Sequence, residues 1–268
     1  MPFTDNKGVR LHWDERGAGT PVLLVMGATY SSAMWYPVLP ALTERHRVIW
    51  FDNRGIGRSS ATRTATMSDL AGDARAVLDA AGVDRAHVFG VSLGGVIVQQ
   101  LAIESPERIR SLVLGCTGIL SAEKPHAPKA TDWIFRLPRP LLLAMVKNSS
   151  YGPACPVEAA ERDRAALRVD KASKTGMVAQ QRALRAYNVT FDEIKALTMP
   201  VLVQHGLADS TVKPEWGREL AETLPDAQLL TYPGAGHNYL VAAGERAVTD
   251  VVRFLEQVDA RQAANSAT

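Results

Sequence analysis

The chain has 268 residues, of which 46 % are hydrophobic and 22 % are charged, as is typical of a globular protein with a sizeable core. Its 30 lysines and arginines exceed its 28 aspartates and glutamates by only two, and no basic run stands out, which argues against nucleic acid as a partner. No apolar run approaches the roughly 20 residues of a membrane helix, and the first residues lack an apolar signal core. We therefore expect a cytoplasmic protein without a membrane partner.

Strand patterns alternate with helix patterns through much of the chain. Continuous apolar runs predict strands buried on both faces, whereas the alternation over residues 9–15 predicts an edge strand. The predicted strands are residues 9–15, 21–26, 47–51, 86–89, 109–114, 200–204 and 227–232. A helix is predicted over 68–81, with Ser68 as its N-cap, and a long helix over 245–261. This order predicts an α/β fold with a mostly parallel sheet and helices on both faces.

The alternation stops between residues 119 and 191. This stretch contains a segment rich in proline and basic residues, followed by amphipathic helical patterns over 158–169 and 177–187. Such a length predicts an insertion with a role of its own. We interpret it as a helical cap over a cleft, although helices that only pack on the sheet are the alternative. The predicted division is a first core part (1–118), a helical cap (119–192), a second core part (193–261) and a flexible tail (262–268).

A serine lies where a predicted strand turns sharply into a predicted helix. The segment Gly90-Val91-Ser92-Leu93-Gly94 follows the strand over 86–89, and a helical pattern follows it. A strained turn of this kind projects the serine hydroxyl into a cleft, and glycine two residues to either side avoids collisions. The pattern predicts that Ser92 is a nucleophile. An ordinary glycine-containing turn is the alternative, because this short motif often occurs by chance.

A serine nucleophile needs a base within hydrogen-bond reach and a carboxylate that orients the base. Asp209 and His237 each follow a predicted strand, in loops that contain glycine. Ligand sites of parallel sheets collect beyond the carboxyl ends of the strands, so these side chains are predicted to meet Ser92 there. The alternatives are His205 as the base and Asp226 or Asp192 as the acid.

Two backbone amides are predicted to stabilise a developing oxyanion. One belongs to Leu93, the first helical residue after Ser92, and the other to Ala28, in the small-residue loop that follows the strand over 21–26. The stretch around Ala28 could equally be an ordinary glycine turn.

The sequence offers little support for other binding chemistry. It contains no phosphate loop and no complete dinucleotide fingerprint, so we expect no cofactor. We expect no metal either, since histidines, cysteines and carboxylates do not cluster at metal-ligand spacing. Cys116 and Cys155 lie far apart in sequence; a disulfide is possible, but two reduced, non-catalytic thiols are favoured.

In combination, these motifs resemble the α/β-hydrolase superfamily, specifically its small capped members. The resemblance covers residues 9–118 and 197–258. It rests on five motifs: Gly27 after an apolar strand, Asp52-Asn53-Arg54-Gly55-Ile56-Gly57-Arg58-Ser59, Gly90-Val91-Ser92-Leu93-Gly94-Gly95, His205-Gly206-Leu207-Ala208-Asp209 and Gly234-Ala235-Gly236-His237. It implies an eight-stranded, mostly parallel sheet with a cap after the sixth strand. It also implies Ser92 as nucleophile, His237 as base and Asp209 as acid, in the chain order Ser, Asp, His.

The resemblance also implies that the loop from Asp52 to Ser59 is mainly structural. This chain departs from the family at Met26, where a histidine commonly precedes the glycine of the donor loop. The glycine and the amide donor are kept, but the polar contacts of that histidine are lost. Met26 is similar to esterase-like members and weakens the kinship to haloperoxidase and ring-cleavage enzymes. A serine nucleophile argues against dehalogenase and epoxide hydrolase chemistry, which use an aspartate there.

The leading hypothesis is a hydrolase that cleaves a small to medium carboxylic ester or lactone through an acyl-enzyme on Ser92. Five side chains are expected to line the substrate pocket: Tyr30, Trp35, Trp133, Phe135 and Leu137. A cofactor-free perhydrolase of the haloperoxidase type and a carbon–carbon bond hydrolase are alternatives, because the same triad serves them. A non-catalytic ligand receptor on the same fold is the alternative outside enzymes. Assembly into a homo-oligomer is left open.

Overall fold

A computed structural model describes residues 2–122, 141, 150–169 and 172–266 of the chain. Its eight strands form one sheet. They are β1 (Phe3–Asn6), β2 (Val9–Arg16), β3 (Pro21–Val25), β4 (Arg47–Phe51), β5 (Ala86–Val91), β6 (Ile109–Gly115), β7 (Val201–Gly206) and β8 (Ala227–Tyr232). The order in the sheet is β1-β2-β4-β3-β5-β6-β7-β8; the pairs β1–β2 and β2–β4 are antiparallel and the other five pairs are parallel. The predicted eight-stranded, mostly parallel sheet is confirmed.

Helices cover both faces of the sheet. They are α1 (Leu39–Thr43), α2 (Met67–Ala80), α3 (Leu93–Glu104), α4 (Val157–Val169), α5 (Lys174–Ala186), α6 (Phe191–Lys195), α7 (Pro214–Thr223), α8 (Tyr239–Ala242) and α9 (Glu245–Ser266), with 3-10 helices at Ser32–Trp35 and Pro106–Arg108. Along β3, Leu23 and Val25 point into the core that α2, α3 and α7 cover. Val22 and Leu24 point into the second core, beneath α1 and α9. A strand that is buried on both faces explains the continuous apolar run in its sequence.

The prediction that the strand over 9–15 forms the sheet edge is wrong. β1 pairs with β2 outside it, with Phe3 opposite His12 and Asn6 opposite Val9. The two strands are joined by Lys7 and Gly8, both of which have positive φ angles (49° and 77°). Two-residue hairpin turns need this conformation, which lysine rarely adopts. The turn signal in the sequence was therefore weak.

Three helices of the described chain, α4, α5 and α6, lie between β6 and β7, where the sequence predicts the helical cap, and this insertion is called the cap below. The cap rests on the loop after β4. There the backbone of Gly176 on α5 lies directly against Gly55, and the side-chain amide of Gln180 donates to the Arg54 carbonyl over 3.0 Å. A side chain on either glycine would collide with the other backbone. Trp133, Phe135 and Leu137 lie outside the described residues, and the cap boundaries at 119 and 192 remain predictions.

The N-cap of α2 differs from the prediction. Thr66, not Ser68, caps the helix: its hydroxyl oxygen accepts from the Asp69 N–H, and the Asp69 carboxylate accepts from the Thr66 N–H. These reciprocal bonds form a capping box, which satisfies two helix-end donors at once. Ser68 lies two residues later, already within the first turn of the helix, and is exposed. Threonine and serine are both favoured at N-caps, so residue type alone did not distinguish Thr66 from Ser68.

We expect Thr66→Ala to lower the free energy of unfolding by roughly 1 kcal/mol, because it removes the accepting hydroxyl of the capping box. Ser68→Ala is the matched control and should change stability by only a few tenths of a kcal/mol, as an exposed helical position does. Urea denaturation of both variants measures the difference. An equal loss in both variants would contradict the assigned cap.

The last helix is longer than predicted. It runs to Ser266 and so includes most of the expected flexible tail. Gln262 explains the extension, since its side chain accepts a 2.7 Å hydrogen bond from the Arg110 guanidinium and donates to the Arg110 carbonyl over 3.3 Å. These bonds attach the end of α9 to β6.

A polar network lies at the amino end of the sheet. The ring of His87 on β5 is completely buried, with Nδ1 2.7 Å from the Ser111 hydroxyl and Nε2 3.0 Å from Asp259 on α9. Burial alone would raise the pKa of Asp259, but the hydrogen bond from His87 outweighs it and lowers that pKa. His46, also buried, packs edge-on against His87. The network joins α9 to the two central strands.

Within the described residues, no helix combines the length and apolar composition needed to cross a membrane. Both Cys116 and Cys155 are free thiols, as the sequence favoured.

Candidate active site

Ser92 occupies the sharp turn between β5 and α3. Its φ of 55° and ψ of −120° lie in a region that residues other than glycine rarely adopt. The Ser92 N–H donates to the Gly115 carbonyl over 2.8 Å, which fixes the turn against β6. A Cβ on Gly90 would collide with the Gly94 carbonyl, and one on Gly94 with the Val25 carbonyl. The spacing of glycine, serine and glycine therefore follows from packing around a strained serine.

Asp209 and His237 meet at the carboxyl ends of β7 and β8. Nδ1 of His237 lies 2.7 Å from Oδ2 of Asp209, and the other carboxylate oxygen accepts from the N–H groups of Thr211 and Val212. Burial alone would raise the pKa of Asp209, but His237 and these hydrogen bonds outweigh it and hold the pKa well below its usual range. An ionised Asp209 fixes the proton of His237 on Nδ1 and leaves Nε2 as the acceptor.

His205, the alternative base, has a different position. Its side chain is completely buried, and Nε2 lies 3.0 Å from the Val212 carbonyl and 3.4 Å from the Asp209 carboxylate. It therefore lies on the inner side of Asp209, away from solvent. His237 retains 14 % of its side-chain surface exposed, so it is the imidazole of this pair that a substrate can reach.

The two alternative acids lie elsewhere. The Asp192 side chain is 93 % exposed beside Lys195 on α6, and Asp226 directly precedes β8, where its carbonyl accepts from the N–H of Val201 at the start of β7. Among the described carboxylates that the sequence put forward, only Asp209 contacts His237.

The predicted donor loop lies beside the serine. A Cβ on Gly27 would lie 3.2 Å from the Cβ of Ser92, so this loop passes within contact distance of the turn. Ala28 follows directly and is half-buried, and Thr29 has a φ of 70°. Leu93 begins α3, where an N–H has no acceptor within the helix. Both predicted amides thus border the space around Ser92.

Asp52 and Asn53 hold the donor loop in place. The Asp52 carboxylate accepts from the N–H and the hydroxyl of Ser32, at 2.8 and 2.7 Å, and Asn53 donates to the Met26 carbonyl over 2.8 Å. All three of these side chains are buried. The structural role that the family resemblance implies for this loop has a physical basis in these bonds, which brace the backbone on both sides of Ala28.

The predicted pocket residues separate into three groups. Tyr30 is half-buried at the margin of the second core. Trp35 is completely buried, and its ring packs on Phe89 at 5.0 Å, so the structure places it in the core and not on a pocket wall. The sequence analysis assigned Trp35 to the pocket because the sequence does not show in which direction an aromatic side chain next to a loop points. Trp133, Phe135 and Leu137 lie outside the described residues.

Sequence analysis missed Cys116, which lies just after β6 between the serine and the acid. Its thiol is buried, and its sulfur lies in one cluster with Asp209 and His205, all ligand atoms being within 4.8 Å of one another. Burial and the Asp209 charge raise the pKa of this thiol well above its ordinary value, so it is protonated. A metal ion here would compete with His237 for Asp209. The signal that could have found Cys116 is its place at the end of a central strand.

Comparison with known proteins assigns the family. A family model described as the alpha/beta hydrolase fold matches residues 20–241. The chain belongs to the α/β-hydrolase family. The match covers β3 to β8, the helices between β6 and β7 and all three candidate catalytic residues, and the relatives of this α/β hydrolase identify it as a hydrolase.

Two curated relatives and one solved structure are similar to this α/β hydrolase over nearly their whole length. A protein named "Putative carbamate hydrolase RutD" from Variovorax paradoxus is 34 % identical over 93 % of this chain and 97 % of that protein. "Putative non-heme bromoperoxidase BpoC" from Mycobacterium tuberculosis is 29 % identical over 94 % and 100 %. A structure titled "Est816 as an N-Acyl homoserine lactone degrading enzyme" is 25 % identical over 94 % and 99 %, with a TM-score of 0.82.

Proposed function

We propose that this α/β hydrolase cleaves a small to medium carboxylic ester or lactone, with Ser92 as the nucleophile. The observation that carries the proposal is the 2.7 Å contact between His237 and Asp209, at the sheet edge where the strained Ser92 turn and the Gly27 loop also lie. These are the parts that acyl transfer to a serine requires: a nucleophile that is only half-buried, an oriented base and nearby backbone donors.

In the proposed mechanism, the Ser92 hydroxyl attacks the acyl carbon while Nε2 of His237 takes its proton. The ionised Asp209 keeps the other ring proton on Nδ1 and stabilises the imidazolium that forms. The amides of Ala28 and Leu93 stabilise the oxyanion of the tetrahedral intermediate. Collapse of the intermediate breaks the bond to the leaving oxygen, which receives the proton from His237.

Water completes the reaction. His237 removes a proton from a water molecule, the resulting hydroxide attacks the acyl-enzyme, and a second tetrahedral intermediate releases the acid and the Ser92 hydroxyl. For a lactone, the leaving alcohol stays attached to the acyl group, so one hydroxy acid is the product.

The names of the similar proteins support the choice of substrate class. The solved structure at 25 % identity is titled as a lactone-degrading enzyme, and ester and lactone bonds share one electrophilic carbonyl. A carbamate is the second candidate, favoured by the relative at 34 % identity that is named as a carbamate hydrolase. A carbamate presents the same carbonyl to Ser92 but is less electrophilic, because its nitrogen donates electrons to the carbonyl.

The test compares the hydrolysis of esters, lactones and carbamates by the purified protein under the same conditions. We expect p-nitrophenyl esters from acetate to dodecanoate, or N-acyl homoserine lactones, to be hydrolysed with burst kinetics that report an acyl-enzyme. A carbamate series is measured in parallel, and a fluorophosphonate probe should label the protein at Ser92. Turnover of carbamates alone would move the substrate class to the second candidate. No turnover together with no labelling at Ser92 would contradict the proposed function.

A further inference from the structure

A buried carboxylate in the cap contacts segments that lie next to the candidate active site. Asp163 on α4 is only 1 % exposed, and its carboxylate accepts three hydrogen bonds. Tyr36 donates its hydroxyl to Oδ1 over 3.0 Å, Tyr151 donates to Oδ2 over 2.8 Å, and the Asn238 amide donates to Oδ2 over 3.3 Å. One side chain of the cap thus gathers donors from three separate segments.

Each of these donors belongs to a segment next to the site. Asn238 directly follows His237, and Tyr36 directly follows the 3-10 helix that continues the Ala28 loop. Tyr151 precedes α4 in the cap. The carboxylate therefore connects the loop of the candidate base with the loop of the candidate oxyanion donor.

Backbone hydrogen bonds tighten the same connection. The segment 150–154 runs along the His237 loop, with the Asn238 N–H donating to the Ser150 carbonyl (2.6 Å) and the Gly236 N–H to the Tyr151 carbonyl (2.7 Å). Gly152 lies so close to the His237 loop that a Cβ would collide with the Gly234 carbonyl. The backbone on both sides of His237 is therefore held by the cap, and Asp163 fastens that cap segment through Tyr151.

Packing alone does not explain a carboxylate at this position. Burial raises the pKa of Asp163, and the three hydrogen bonds only partly oppose that rise, so keeping the group ionised weakens the fold. An apolar residue of similar size would fill the same volume without that penalty. A buried carboxylate whose hydrogen bonds reach the loops on both sides of the site suggests a role in that site.

We infer that Asp163 is a positioning residue for His237, holding the base loop through Asn238 and the donor loop through Tyr36. The inference rests on the proposed function, in which His237 is the base. The hydrogen bonds set where the imidazole lies, and a displacement of about 1 Å at a reacting group can lower the rate roughly a hundredfold.

Three variants separate geometry from charge. Asp163→Leu removes every acceptor. Asp163→Asn keeps one amide oxygen for Tyr151 and Asn238 while its N–H donates to the Tyr36 oxygen, so it preserves the geometry and removes the charge. Asn238→Ala breaks the link from the other side and serves if Asp163→Leu fails to fold. Gln180→Leu is the matched control: it is an equally buried polar residue of the cap that holds the Arg54 carbonyl instead of the base loop.

We expect Asp163→Leu and Asn238→Ala to lower kcat roughly tenfold to a hundredfold with little change in KM, and to shift the acidic limb of the pH–rate profile. Asp163→Asn should restore most of kcat, and Gln180→Leu should leave both kcat and the pH profile as in the wild type. A loss of stability alone would lower the apparent kcat through the folded fraction of the enzyme but would leave KM and the pH profile unchanged, so the shift of the profile identifies the positioning role. Unchanged kcat and pH profile in Asp163→Leu and Asn238→Ala would overturn the inference.

A measurement that needs no substrate separates this inference from the proposed function. We expect the Nδ1 proton of His237, held by Asp209, to give a downfield proton resonance in NMR spectra. We expect Asp163→Leu and Asn238→Ala to shift or broaden it, and Asp163→Asn and Gln180→Leu to leave it in place. If the wild type hydrolyses no substrate, this resonance still tests the inference. A shifted or broadened resonance in Asp163→Leu and Asn238→Ala supports the positioning role of Asp163, and an unchanged resonance in both variants overturns it.

Discussion

Ser92→Ala should lower kcat for the best ester or lactone substrate by roughly 10⁶-fold, because the acyl-enzyme can no longer form. A residual rate of about 10³-fold over water should remain, since substrate binding and the backbone amides of Ala28 and Leu93 are untouched. The fold should be retained, because alanine and serine are similarly strained at a φ of 55°. Initial rates on purified protein, with circular dichroism as the check on folding, measure both quantities.

Ser105→Ala is the matched control for this variant. Ser105 ends the helix that Ser92 begins and is equally a short polar residue, and its hydroxyl lies 3.3 Å from the Arg75 guanidinium. We expect its kcat to equal that of the wild type. Activity that survives Ser92→Ala at a tenth of the wild-type rate or more would exclude Ser92 as the nucleophile.

Asp209→Asn should lower kcat by roughly 10⁴-fold while KM changes little. The asparagine side chain can donate its N–H to Nδ1 of His237, which moves the ring proton to Nε2, where it blocks acceptance of the Ser92 proton.

His237→Gln should reduce kcat about as much as Ser92→Ala. The double variant Ser92→Ala/His237→Gln should be no slower than the slower of the two single variants, because the three residues act as a unit. Additive losses in the double variant would contradict a shared triad.

The depressed pKa of Asp209 also predicts how stability depends on pH. A carboxylate whose pKa is lower in the folded than in the unfolded chain stabilises the fold above the unfolded pKa, and this stabilisation is lost as the pH falls towards the folded value. Relative to Asp209→Asn, the wild type should therefore begin to lose stability below about pH 5 and lose more as the pH falls towards the folded pKa. Urea midpoints of both proteins across this range measure the difference, and parallel curves would contradict the hydrogen-bonded, ionised state of Asp209.

Much of the fold could be predicted because its signals are local. A strand such as Pro21–Val25 sends Leu23 to one core and Leu24 to the other, so both faces must be apolar and the run is continuous. Ser92, Asp209 and His237 were likewise predicted by rule, since each lies in the turn or loop that follows a strand and parallel strands end at one edge. Position in the chain was enough to predict that these three residues lie at the same edge of the sheet.

Other features depend on which side a residue faces, and the sequence does not specify this. Trp35 and Cys116 both lie next to site loops, but one enters the core and the other contacts Asp209. Asp163 was missed for a related reason. Its partners Tyr36 and Asn238 are 127 and 75 residues away, so only the folded chain brings them together.

The polar network at the amino end of the sheet shows what makes a serine reactive. Ser111, His87 and Asp259 repeat the residue types of the candidate triad and form contacts of 2.7 and 3.0 Å, with Nδ1 of the histidine facing the serine and Nε2 facing the aspartate, whereas His237 faces Asp209 with Nδ1. Ser111 and His87 are completely buried, and Ser111 lies in the middle of a strand. A structural search for these three side chains at these distances would identify the network as a catalytic triad. What distinguishes a catalyst is therefore the architecture around the trio: a strained turn, an open approach and backbone donors facing the same space.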